Sequence, residues 1–237
     1  MSADRPPRLR LALTTRAGLS GPPLSAADLR PGELARLASY RTDEARERFL
    51  AGRQLLRQLV PDFPDIDPDG RTVRTSGHAN LSHSGGWLLA ATADEPIGVD
   101  LEVIRPRRGD LLALARHVHG DAQCAEIAAL LAARRDGEAL CAFYRWWTLK
   151  EAWLKCRGRG LDWGAMRQLD FHLVSAPMDD VARFADCACA RLDRAGLMVS
   201  VVVDPSRRGA GITPHDLPAE MAGGPARWQL LESRPSD

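Results

Sequence analysis

Three carboxylates and two lysines carry most of the chemistry that can be read from this chain. Asp100 and Glu102 stand two apart in Ile97-Gly-Val-Asp-Leu-Glu-Val103. In a strand they point to one face while Val99, Leu101 and Val103 point to the other, and two carboxylates about 7 Å apart can share a hard cation. The alternative is a half-buried strand with a wet outer face. A third carboxylate would complete a Mg²⁺ site, and Glu151 is the candidate. It lies in Phe143-Tyr-Arg-Trp-Trp-Thr-Leu-Lys-Glu-Ala-Trp-Leu-Lys155, where Trp147, Glu151 and Lys155 are four apart and share one side of a helix.

As a surface pair, Glu151 and Lys155 would contribute only about 0.2–0.5 kcal/mol. Lys150 and Lys155 are, however, the only lysines in the chain, and lysine and arginine are not interchangeable where geometry matters. Residues four apart on a helix lie about 40° apart around its axis, whereas Lys150, next to Glu151, is turned about 100° away. That geometry sets Lys155 beside Glu151, and Lys150 on the flank, toward substrate edge or solvent. His83 lies in Asn80-Leu-Ser-His-Ser-Gly-Gly86, a turn-like, donor-rich stretch. It suits a phosphate, through backbone N–H groups and the imidazole, or else a capping role.

The elements that must hold these residues follow from periodicity. Leu9, Leu11 and Leu13 alternate, predicting an opening strand over 8–14. A helical pattern runs from Glu33 to Val60 with a break near Ser39-Tyr40. Arg36, Arg46, Arg53 and Arg57 cluster on its polar side, as ligands or as a solvated face. Residues 61–70 read as a loop, and 87–92 as a short apolar strand. Two short helices over 111–119 and 121–134 lead to the helix 136–156, whose core stripe is Leu140, Phe143, Trp147 and Leu154. Gly158 and Gly160 end it. Strands follow over 169–174, 184–192, 197–203 and 226–231, with a Pro-, Gly- and Arg-rich excursion over 204–225. The order predicts an α+β protein of two similar halves divided near residue 104.

Composition removes several classes of function. A net charge of +1 leaves no bulk footprint for nucleic acid. No run is long and apolar enough to span a membrane, and the first residues lack a secretory signal layout. Five cysteines, with Cys187-Ala-Cys189 read as buried small hydrophobes, suggest neither a disulfide framework nor a zinc site. A reduced, cytoplasmic protein is expected.

Asn80-Leu-Ser-His83, Gly98-Val-Asp-Leu-Glu102 and Trp147-Thr-Leu-Lys-Glu-Ala-Trp-Leu-Lys155, followed by Gly158-Arg-Gly160-Leu161, together resemble the 4′-phosphopantetheinyl transferase superfamily. The likeness is to its longer form, which activates peptide and polyketide synthetases, and it spans roughly residues 33–175. The resemblance implies transfer of the phosphopantetheine arm of coenzyme A to a serine of an acyl or peptidyl carrier protein, with release of adenosine 3′,5′-bisphosphate. It implies two α/β halves related by a pseudo-two-fold, residues 1–104 on the coenzyme A side and 105–237 carrying the catalytic helix. Asp100, Glu102 and Glu151 match the metal carboxylates for Mg²⁺, with Mn²⁺ as the alternative, and Glu151 is placed to accept the serine proton. Lys155, Ser82 and His83 match coenzyme A contacts, and Glu151, Lys155 and His83 form the catalytic set. Arg36 and Arg53 match 3′-phosphate ligands. Arg71, in Gly70-Arg71-Thr72, is the nearest match to an adenosine-side ligand. The expected partners are coenzyme A and a carrier protein, with a monomeric enzyme. Hydrolysis of coenzyme A or a related dinucleotide, or non-catalytic carrier binding, are the alternatives.

Overall fold

The computed structural model describes residues 9–61, 65, 78–173, 187–192, 195–203 and 226–231. The chain opens with β1 (Arg10–Thr15), followed by α1 (Pro31–Ser39) and α2 (Asp43–Leu59). The break between the helices falls at 40–42, where Thr42 accepts from Ala45 N and starts α2 afresh. Next come β2 (His78–Ser84), β3 (Trp87–Ala93) and β4 (Ile97–Val103). The stretch read as a turn at 80–86 is therefore mostly strand. Only Gly85 and Gly86, with φ of 56° and 88°, make the turn into β3.

Four helices follow: α3 (Leu111–Val118), α4 (Asp121–Ala132), α5 (Asp136–Cys156) and α6 (Trp163–Gln168). The strands β5 (Asp170–Leu173), β6 (Cys187–Leu192), β7 (Leu197–Val203) and β8 (Ala226–Leu231) then complete the described chain. The excursion over 204–225 and most of the loop over 61–70 lie outside the described residues.

Two sheets result, with orders β1-β3-β2 and β4-β7-β6-β8-β5. Alternation along the strands assigns their faces. On β3, Leu88 and Ala90 pack on Ala51, Leu55 and Leu56 of α2. Leu89 and Ala91 face the other way, against Val99 and Leu101 of β4 and Val199 and Val201 of β7. Met198 and Val202, with Cys187 and Cys189, meet α5 on the far side of the second sheet. The layers thus run α2, first sheet, second sheet, α5, an α+β architecture in which α5 covers β4 and β7. Among the described residues no helix is long and apolar enough to cross a membrane.

α5 is not the one-striped helix that its sequence suggests. Phe143, Tyr144, Thr148, Leu149, Lys150, Ala152 and Leu154 are all buried, so protein surrounds it on most sides. None of the five cysteines forms a disulfide. Cys187 and Cys189 are buried as expected, and burial pushes the Cys189 thiol up to about 11.

Candidate active site

The site begins with a glycine. Gly98, Asp100 and Glu102 share the face of β4 that α5 covers, and at Gly98 the two backbones all but touch. A Cβ there would lie 1.8 Å from Ala152 O and 2.5 Å from Cys156 N. The absent side chain lets the last turns of α5 settle onto β4, which carries Glu151 and Lys155 over the two strand carboxylates. Lys155 Nζ donates to Asp100 Oδ1 at 2.6 Å, to Ser82 Oγ at 3.2 Å and to Val99 O at 3.3 Å.

The carboxylates have the chemistry of a cation site. Asp100 is 4 % exposed, and its Oδ2 is buried with no hydrogen-bond partner. Burial first, and then the neighbouring Asp100, push the Glu102 carboxyl above its usual range, against the Ser84 hydroxyl bond that lowers it. Glu151 is raised by burial and by the charges of Asp100 and Glu102, while Lys155 works to lower it. A hard cation satisfies such a set: an orphaned buried oxygen and two carboxylates that resist ionising together. Among the described residues, no three acidic, histidine or cysteine side chains already converge on one point.

β2 seals the open edge of β4 with side chains in place of a backbone ladder. Asn80 Oδ1 accepts from Val99 N at 2.9 Å, Ser82 Oγ from Leu101 N at 3.2 Å and Ser84 Oγ from Val103 N at 3.3 Å. The same hydroxyls donate to the carboxylates, Ser82 to Asp100 Oδ1 and Ser84 to Glu102 Oε2, each at 2.7 Å. Residues at every second position of β2 therefore close the sheet edge and orient the acidic pair at once.

His83 points to the other side of β2, into an adjoining cavity of about 430 Å³. Arg16, Arg48 and Arg105 line it with Ser84, Gly85 and Gly86, and Glu44 is its acid. Although His83 is exposed, desolvation by the surrounding protein lowers its pKa, and the charges of Arg48 and Lys155 lower it further. Three guanidiniums, an imidazole and a glycine turn suit a phosphorylated ligand.

The structure gathers Ser82, Asp100, Glu102, Glu151 and Lys155, and brings His83 next to them. Of the expected arginines that are described, Arg36 and Arg53 make other contacts. Arg53 is 6 % exposed, and its Nε donates at 2.6 Å to Glu33, a fully buried carboxylate that Arg57 also holds at 2.5 Å. That ion pair gives Arg53 a structural role, the holding of a buried carboxylate. Arg36 lies over the Tyr40 ring at 5.4 Å, away from the cavity lining. Arg71 lies outside the described residues.

Lys150 also departs from expectation. It is turned away from Glu151, but into the core: it is wholly buried, and Nζ donates to Val118 O at 3.0 Å at the end of α3. Burial pulls its pKa down to about 7. His119 beside it is 1 % exposed, and neither ring nitrogen has a hydrogen-bond partner. Burial first, then the Lys150 charge, holds its pKa down to about 3. Sequence reasoning missed Arg16, Arg48 and Arg105 in the cavity, and Gly98 as the seat of α5. Glycine inside a strand, where it often marks a close backbone approach, was the available signal for Gly98.

A family model described as the 4′-phosphopantetheinyl transferase superfamily matches residues 96–191. Its span takes in β4, α5 and β6, and so Asp100, Glu102, Glu151 and Lys155. The chain is 34 % identical over 152 residues to the 4′-phosphopantetheinyl transferase HetI of Nostoc sp., covering 57 % of this chain and 62 % of the relative. It is 31 % identical over 122 residues to the 4′-phosphopantetheinyl transferase Sfp of Bacillus subtilis, covering 52 % of this chain and 46 % of Sfp. The chain thus spans about half to under two thirds of the length of these two relatives. With the 4′-phosphopantetheinyl transferase AcpT of Escherichia coli O157:H7, identity is 39 % over 141 residues, or 57 % of this chain and 68 % of AcpT. Sharing that much of AcpT, and matching the family model through the very strand and helix that build the acidic site, the chain belongs to the 4′-phosphopantetheinyl transferase superfamily.

Proposed function

We propose that the protein transfers the 4′-phosphopantetheine arm of coenzyme A to a serine of an acyl or peptidyl carrier protein and releases adenosine 3′,5′-bisphosphate. The observation that carries this reading is the seating of Glu151 and Lys155 over Asp100, beside a basic cavity that shares Ser84 with the acidic pair. Residues 1–104 supply the nucleotide-side contacts and 105–237 the catalytic helix, as two halves related by a pseudo-two-fold. The protein acts as a cytoplasmic monomer.

In the reaction, the serine hydroxyl attacks the pantetheine-side phosphorus. A new phosphodiester bond forms, and the bond to the adenosine-side phosphate breaks. The hydroxyl proton passes to Glu151, directly or through water, and the raised pKa of that carboxyl suits it as acceptor. The electron pair leaves on adenosine 3′,5′-bisphosphate, whose growing negative charge Lys155 offsets as a point charge. Mg²⁺, or Mn²⁺ in its place, would be held by Asp100, Glu102 and Glu151 and would supply further neutralisation of phosphoryl oxygens. His83 and Ser82 contact the pyrophosphate.

Arg48 takes the 3′-phosphate in this reading. Arg48→Ala should therefore narrow the preference for coenzyme A over dephospho-coenzyme A, measured as the ratio of kcat/KM values. Arg53→Ala should leave that ratio alone and lower stability by about 3–5 kcal/mol in denaturant melts, because it strands part of a buried ion network. An Arg53→Ala protein of normal stability and weakened discrimination would reverse the two roles.

The function itself is tested by incubating the protein with coenzyme A, Mg²⁺ and an apo carrier protein. Mass spectrometry should find phosphopantetheine on the serine. Free 4′-phosphopantetheine with unmodified carrier would mark a hydrolase, and neither product a non-catalytic binder.

A further inference from the structure

Three arginines line the cavity beside His83, and they differ in what already holds them. Arg16 pairs with Glu47 at 3.4 Å and Arg48 with Glu44 at 3.8 Å. Arg105 is exposed and has no carboxylate partner among the described residues. It also comes from a different part of the chain. The backbone passes Glu102, ends β4 at Val103 and reaches Arg105 two residues later. Arg105 therefore enters the cavity from the end of the strand that carries the acidic pair.

Fixing a long exposed side chain on an irregular stretch costs rotamer freedom, so its backbone must be well held if it is to serve as a ligand. Here the backbone is clasped. Tyr144 OH donates to Arg105 O at 3.0 Å. The Tyr144 side chain is wholly buried, with the Phe143 ring edge to face at 5.7 Å. Two residues on, the Arg107 guanidinium lies 4.9 Å over the same tyrosine ring and 5.9 Å from the Phe143 ring. Nε of Arg107 is buried with no hydrogen-bond partner among the described residues, so aromatic faces hold that side chain in place of an acid. Pro106, between the two arginines, narrows the backbone of Arg105 as well as its own. Ahead of them, Ile104 N donates to Gly196 O at 2.7 Å.

Tyr144 stands seven residues before Glu151, about two helical turns, and so on the same side of α5. α5 thus grips this stretch of chain twice: at Gly98, which seats Glu151 and Lys155, and past the end of β4 at Arg105. One helix sets the reacting side chains and the cavity arginine in a common frame.

We infer that Tyr144 is a positioning residue for nucleotide binding. Through the main-chain oxygen of Arg105, and with Arg107 laid on its ring, it aims the Arg105 guanidinium at the adenosine-side phosphate of coenzyme A. With Arg48 on the 3′-phosphate, a guanidinium that has no acid of its own and approaches from the acidic pair suits the phosphate that becomes the leaving group. The inference rests on the transfer reading, which puts coenzyme A in this cavity.

The test follows binding to the full chain by calorimetry, with coenzyme A, dephospho-coenzyme A and adenosine 3′,5′-bisphosphate as probes, and transfer to apo carrier protein by mass. Arg105→Ala should weaken all three probes by a common factor of about tenfold or more, the scale of one lost hydrogen bond to a charged group. Tyr144→Phe keeps the ring and the Arg107 stack and removes only the hydroxyl, and it should weaken each probe about three- to fivefold. Arg107→Leu, which loosens the clasp from the other side, should act in the same direction. The double variant Tyr144→Phe, Arg105→Ala should bind no worse than Arg105→Ala alone, because a tyrosine that acts through Arg105 then has nothing to aim. A merely structural tyrosine would add its own loss to that of the arginine. In Tyr144→Phe the KM for coenzyme A should rise while the KM for carrier protein stays at the wild-type value. Additive losses in the double variant, or wild-type affinity in both Tyr144→Phe and Arg107→Leu, would overturn the positioning role and leave transfer standing. An Arg105→Ala loss seen with coenzyme A but not with dephospho-coenzyme A would move that arginine to the 3′-phosphate and overturn the assignment. Binding with the expected dependence on Tyr144 and Arg105, but no transfer by the wild type, would keep the inference and sink the transfer reading. A wild type that binds none of the probes would sink both.

Discussion

Gly98→Ala should cost the protein both its site and much of its stability, although it adds a single methyl group. The added carbon would fall 1.8 Å from a backbone oxygen and 2.5 Å from a backbone nitrogen of α5. Neither atom can rotate aside as a side chain would, so the helix must lift or the strand must sink. Overpacking of this kind costs about 1–3 kcal/mol and occasionally more, and here the displaced element carries two reacting side chains. A shift of about 1 Å near the chemistry costs on the order of a hundredfold in rate. Melting curves should therefore show a clear fall in Tm, and turnover of the remaining folded protein should drop about a hundredfold or more. Wild-type turnover from Gly98→Ala would mean that α5 does not owe its position to that contact.

Asp100→Asn and Lys155→Met should both inactivate, and they should part company in their response to metal. Asparagine keeps the volume and the Ser82 contact but removes the charge. Mn²⁺ binding, followed by electron paramagnetic resonance on the free protein, should be lost with it. Lys155→Met removes the ammonium that now engages Asp100 Oδ1 at 2.6 Å, so Mn²⁺ should bind at least as tightly as to the wild type. Turnover should still fall by about two to three orders of magnitude, the usual effect of deleting one electrostatic stabiliser of a transition state. Unchanged Mn²⁺ affinity in Asp100→Asn would remove that carboxylate from the metal set, and normal turnover in Lys155→Met would remove the lysine from the chemistry.

Those residues were legible in the sequence because they belong to long, regular elements. The 136–156 helix and the alternation of β4 announce themselves, and they fix which side chains share a side. Less legible was β2, whose Asn and Ser content, running on into Gly85-Gly86, reads as a turn. Its polar side chains are in fact employed as hydrogen-bond partners of the neighbouring strand. Arg48 and Arg53 ride on the same helix, and nothing in the spacing tells a cavity arginine from one that serves Glu33. That distinction comes from a partner brought up by the fold. Lys150 shows the same limit: the helix wheel turned it away from Glu151, but only packing reveals that a helix end lies there instead of water.

Two bases whose protonation is disfavoured by burial make the folded state a poorer proton acceptor than the unfolded chain. His119 binds a proton near pH 6.5 when unfolded and only near pH 3 when folded. Between those values the unfolded chain holds the extra proton, so acid favours unfolding, by up to about 1.4 kcal/mol for each pH unit crossed. Lys150, at about 7 in the fold against 10.5 outside it, acts in the same sense at higher pH, and stability rises across that interval. His119→Leu removes one of these proton debts. Its acid unfolding midpoint should lie at lower pH than that of the wild type, and an unshifted midpoint would mean that His119 already titrates normally inside the fold.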